Sequence, residues 1–112
     1  MNPGTSSTVS VTFPAGEGFG RIGRVTIGGL ALRAGVGVAE TERLRDAVDL
    51  GVAALGPVGR VRLDVGWDTR VLDVALANVD AAVDDPAGLR SALSDLVDDV
   101  EVEATRVHFT VR

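Results

Sequence analysis

An α+β domain, with helices packed on one face of a mainly antiparallel sheet, is the fold class this sequence predicts. Three observations support it. Apolar residues alternate with polar ones over several short stretches and recur at helical spacing over three longer ones. The strand-like stretches fall in hairpin pairs with helices between the pairs, which disfavours the regular strand–helix alternation of a parallel sheet. At 112 residues and 46% apolar content, the chain can bury one sizeable core without disulfides or a structural metal.

Residues 1–7 are polar and read as a disordered terminus, leaving 8–112 as a single domain. Over 7–13, Val9, Val11 and Phe13 alternate with Ser10 and Thr12, the pattern of a strand that Pro14 and the following glycines end. The stretch 19–34 is helical. Ile22, Val25, Gly29 and Leu32 form one row, and Ile27, Leu30, Ala31 and Ala34 another. A helix apolar over so much of its circumference is expected to be largely buried. Gly35 is its stop signal.

A second helix over 39–55 places Leu44, Ala47, Val48 and Val52 on one face, with Arg45 and Asp49 spaced as surface neighbours. Residues 60–65 alternate again. Gly66-Trp67-Asp68-Thr69 reads as a hairpin loop that exposes Trp67, and 70–78 as the return strand. Asp84-Asp85-Pro86 marks a helix start, with an Asp cap followed by Pro in the first turn. Leu89, Leu93, Leu96, Val97 and Val100 continue that helix, and 101–104 and 105–112 form a closing strand pair. The expected order is β-α-α-β-β-α-β-β.

Composition excludes several function classes. Cysteine is absent, which removes disulfides, thiolate metal sites and a cysteine nucleophile. All eleven basic residues are Arg, so Schiff-base chemistry and a phosphate-loop lysine are excluded; the bias itself fits a GC-rich bacterial genome. A net charge of −5 disfavours nucleic acid as a partner. The first residues lack a signal peptide's basic and apolar regions, and no stretch has the roughly 20 apolar residues needed to span a bilayer. A soluble cytoplasmic protein is expected.

Gly18-Phe19-Gly20-Arg21-Ile22-Gly23 matches G-x-G-x-x-G between a strand and a helix, and the run through Arg24 resembles the start of the cofactor domain of glyceraldehyde-phosphate dehydrogenases. The context differs: four residues separate strand and motif, and a helix follows where a second parallel strand is required. A turn leading into a helix is the simpler reading. His108, the single histidine, has no second histidine or cysteine to complete a cluster, and reads as a solvated strand residue. The aspartates at 80, 84, 85, 95, 98 and 99 lack the spacing of a cation loop. No metal site or cofactor is expected.

The order of elements and several residues resemble the anti-sigma regulatory factors related to serine/threonine kinases, which have the histidine-kinase-like ATPase fold, a two-layer sandwich. Phe13-Pro14 corresponds to the end of the first strand, Arg21, Arg24 and Ala34-Gly35 to the first helix, and 44–54 to a signature resembling L-x-x-A-V-x-E-x-x-x-N. The resemblance implies a catalytic Glu at position 50 and a magnesium-holding Asn at position 54. Here those are Leu50 and Ala54, which can neither accept a proton nor ligate a cation. The D-x-G-x-G adenine box expected after the central hairpin is not supplied by 78–83, and the Gly-rich lid is missing.

The resemblance therefore implies a degenerate, non-catalytic relative that binds a protein partner: a sigma factor, an anti-anti-sigma domain or a copy of itself. Arg21 and Arg24 on the first helix, and Trp67 at the hairpin tip, are the candidate contacts. The alternatives are an ATP-binding anti-sigma serine kinase with an atypical site and a structural subunit of a larger complex.

Overall fold

The computed structural model describes residues 7–16, 18–68 and 71–112. The expected N-terminal tail lies outside the described residues, except that Ser7 already opens the first strand. The elements are β1 (Ser7–Pro14), α1 (Gly20–Ala34), α2 (Val38–Ala54), β2 (Arg60–Asp68), β3 (Val71–Ala77), α3 (Pro86–Ser94), β4 (Asp99–Val102) and β5 (Arg106–Val111). They follow the expected sequence of strands and helices. The five strands form one sheet in the order β1-β2-β3-β5-β4, and every neighbouring pair is antiparallel.

Alternation decides which sheet face the helices cover. Phe13, Val61, Leu63, Val65, Leu72, Val74, Leu76, Val107, Phe109 and Val111 are buried on one face together with the inner residues of all three helices. The opposite face carries Ser10, Arg62, Asp64, Asp73, His108 and Thr110, all exposed or partly exposed. One face buried and one polar is what an antiparallel sheet permits.

Two glycines let the layers approach closely. A Cβ on Gly23 would lie 3.1 Å from Val48 and 3.5 Å from Phe13, and one on Gly51 would lie 2.5 Å from Leu76. Gly23 thus seats α1 against α2 and the sheet, while Gly51 seats α2 on β3.

Local signals hold where local chemistry suffices. Gly35 caps α1 in the left-handed conformation at φ 76°, and its N–H reaches back to the last carbonyls of the helix. Asp85 caps α3, accepting from the Gly88 N–H at 3.2 Å, with Pro86 in the first turn.

Four expectations need correction. Gly66, Trp67 and Asp68 are not a loop: they extend β2 and pair with Asp73, Leu72 and Val71. The third helix ends at Ser94 rather than continuing, and Val100 belongs to β4. Leu96 and Val97 still pack on the core from the turn between them. In α1 only one apolar row is buried: Ile27, Leu30 and Ala31 face inward, whereas Ile22, Val25 and Leu32 are exposed. Arg45 reaches back to Glu42 at 3.0 Å, not forward to Asp49.

Candidate functional site

Three surfaces bear on function. The first is the cleft beside the glycine-rich turn, with a volume of 390 Å3 between Gly16, Gly18 and Gly20 on one side and Val52, Ala53 and Pro57 on the other. Gly16 and Gly18 adopt φ of 125° and 90°, which explains glycine at both positions. Gly20 begins α1, and Gly23 is a packing glycine. Among the described lining residues the charged group is Asp49, whose Oδ2 lies 2.5 Å from Arg24 Nη1. The Arg24 guanidinium is engaged by this carboxylate rather than free to hold a phosphate. The sheet is antiparallel throughout, so the parallel unit that a dinucleotide motif needs is not formed among the described residues.

The second surface is the polar face of the sheet, where side chains satisfy one another across strands. Ser10 Oγ and Arg62 Nε both donate to Asp64 Oδ1, the latter at 3.0 Å. His108 Nε2 lies 2.7 Å from Asp73 Oδ1, which also accepts from Thr110 Oγ1 at 2.7 Å. Desolvation pushes the Asp64 carboxyl up. The hydrogen bonds from Ser10 and Arg62 and the charges of Arg62 and Arg106 outweigh it and hold the group below the usual carboxylate range. His108 is thus a hydrogen-bond partner of Asp73 across the β3–β5 ladder. Among the described residues, no three His, Asp or Glu side chains converge as metal ligands would.

The third surface is the outer side of α1. Ile22, Val25, Gly29 and Leu32 recur at intervals of three and four, with Val25 72% and Leu32 80% exposed, and Phe19 continues the row at 44%. Gly29 opens onto free space. The charged residues of α1 are Arg21, Arg24 and Arg33, and it has no acidic residue.

The candidate residues are spread over these surfaces. Arg21 is exposed and makes no ion pair with another described residue. Arg24 is tethered along the surface to α2, at Asp49 and, at 3.8 Å, at Asp46. Trp67 is partly buried and packs on the core from within β2, so it does not stand at a loop tip. Leu50 is exposed on α2, and Ala54 lies one turn further on.

Asn78 is a residue that sequence reading missed. It is the one buried polar residue among those described. Its Nδ2 donates to the carbonyls of Leu55 at 2.6 Å and Val58 at 2.7 Å, and its Oδ1 accepts from Asp80 N–H. The segment in which the resemblance expects an adenine-binding box thus begins with a side chain committed to holding the loop after α2.

These features define a two-layer α+β domain with an antiparallel sheet and an uncovered apolar helix row. No protein-family model matches the chain, and no curated protein is recognisably similar to it. Among the described residues, no helix is long and apolar enough to cross a membrane.

Proposed function

We propose that the chain is a non-catalytic protein-interaction module of the anti-sigma type, with a histidine-kinase-like ATPase-type fold that has lost its nucleotide site. The observation behind this reading is the exposed row Ile22, Val25 and Leu32 on α1. Aliphatic side chains aligned on one helix face are the pattern by which amphipathic helices and grooves recognise one another. Arg21 and Arg33, which make no ion pair with another described residue, give this helix a local positive charge that favours an acidic surface on the partner. A sigma factor or an anti-anti-sigma domain is the proposed partner class, and binding would act by occlusion. Leu50 and Ala54 offer no side-chain oxygen or nitrogen for Mg-ATP, which favours binding over phosphoryl transfer.

Two measurements test the reading. Calorimetric titration with millimolar Mg-ATP should give no saturable heat; saturable binding would revive the serine-kinase alternative. Affinity capture from the source cell should retain a partner on the wild-type chain and lose it on Val25→Asp/Leu32→Asp, with the unfolding midpoint unchanged. Equal capture by both chains would remove α1 from the interface.

A further inference from the structure

The two edges of the sheet are built differently. β4 spans four residues, Asp99–Val102, alternates two acids with two valines, and its Asp99 carboxylate is held by Arg112 at 2.5 Å. Short, charged edge strands resist further pairing. β1 spans eight residues, Ser7–Pro14, and carries no charge. Among the described strands it pairs with β2 alone.

The direction of its backbone groups follows from the ladder. The Ala15 N–H donates to the Gly59 carbonyl at 2.9 Å, and the one-to-one register continues without a bulge from Pro14↔Arg60 to Ser7↔Trp67. Backbone groups alternate sides along a strand, so the odd-numbered residues of β1 face β2 and Thr8, Ser10, Thr12 and Pro14 face the open edge. Pro14 has no N–H to present, and it occupies an outward position, where the loss breaks no bond to β2.

We infer that β1 is a self-pairing edge: two copies of this chain join antiparallel through β1, with a twofold axis at Ser10, into one ten-stranded sheet. This rests on the edge strand and is independent of the role proposed for α1. Register follows from the donors. Thr8 opposite Thr12 of the partner copy, and Ser10 opposite its own symmetry mate, engage all three outward N–H groups. Shifting by two residues would set Thr8 against Pro14, which has no N–H to offer the Thr8 carbonyl. The same register places Val9 opposite Val11 on the helix side and hydroxyl side chains together on the polar side, so each face continues across the axis. No charge opposes another within the strand. Because β4 is the blunted edge, pairing stops at two copies.

Sedimentation equilibrium of the full chain from micromolar to millimolar concentration should show a reversible monomer–dimer equilibrium. Thr12→Pro removes an outward N–H from each copy and should raise the dimer Kd roughly tenfold or more. Thr12→Val keeps the N–H and should dimerise as the wild type does. Amide exchange on the wild-type chain needs no variant. The Thr8, Ser10 and Thr12 amides should become protected as the dimer fills, while Val9, Val11 and Phe13 stay protected throughout. A chain monomeric at millimolar concentration, or a dimer whose Thr8, Ser10 and Thr12 amides exchange as fast as in the monomer, overturns the inference.

Discussion

The side-chain amide of Asn78, at the end of β3, donates to the backbone carbonyl of Leu55, the C-terminal cap of α2, across 2.6 Å and 23 residues of chain. The same nitrogen holds the Val58 carbonyl, so one buried group fixes the path from α2 into β2. Asn78→Ala leaves both carbonyls without this donor and should cost about 1–3 kcal/mol, most of it from the buried Leu55 carbonyl since the Val58 bond is only part-buried. Urea denaturation measures it. A loss under about 1 kcal/mol would mean that water replaces the amide.

Gly29 and Gly51 sit in helix interiors with opposite surroundings. Gly29→Ala meets open space and should stabilise the fold by about 0.5–1 kcal/mol through helix propensity. Gly51→Ala drives a methyl to 2.5 Å from the buried Leu76. It should destabilise by about 1–2 kcal/mol after the gain in propensity is subtracted. Thermal unfolding of both variants decides the matter, and shifts of the same sign would contradict the packing described for α2.

Asp64 links stability to pH. Its carboxyl titrates below the ordinary value of 3.8 in the folded chain, so its contribution is present above that value and fades as pH falls through the lower folded pKa. The wild type should exceed Asp64→Asn in urea midpoint at pH 7 and pH 5, and the gap should close towards pH 2. A gap independent of pH would show that the Ser10 and Arg62 contacts do not favour the charged form.

Arg21 and Arg24 should separate in their effects. Arg24→Ala breaks the Asp49 contact between α1 and α2 and should lower stability by up to about 1 kcal/mol, the range for an exposed ion pair. Arg21→Glu breaks no ion pair among the described residues, so stability should stay within about 0.5 kcal/mol. Capture of the proposed acidic partner should fall with Arg21→Glu. Unfolding curves and capture run on the same two variants test both halves.

Features legible in the sequence are those set within a few residues. Gly35 as a left-handed cap and Asp85-Pro86 as a helix start need only neighbouring backbone. The alternation of Leu72, Val74 and Leu76 and of Val107, Phe109 and Val111 predicts which strand face is buried, because side chains on a strand point alternately. The lack of oxygen ligands at Leu50 and Ala54 is a matter of residue type. The α+β class and the order of elements were therefore open to sequence reasoning.

Tertiary structure decided what depends on partners far along the chain. Trp67 reads locally as part of a turn, but Gly66 and Trp67 have strands on both sides, Thr8 and Ser7 on one and Asp73 and Leu72 on the other, and Asp68 extends the pairing to Val71. Arg24 selects Asp49 across the gap between helices, and Asn78 selects carbonyls 20 and 23 residues away. Both rows of α1 are apolar enough to be buried, yet a helix can turn only one side to the sheet. Ile27, Leu30 and Ala31 took it, and Ile22, Val25 and Leu32 were left outward. Periodicity defines a helix and its apolar rows; which row becomes core is set by where the other elements stand.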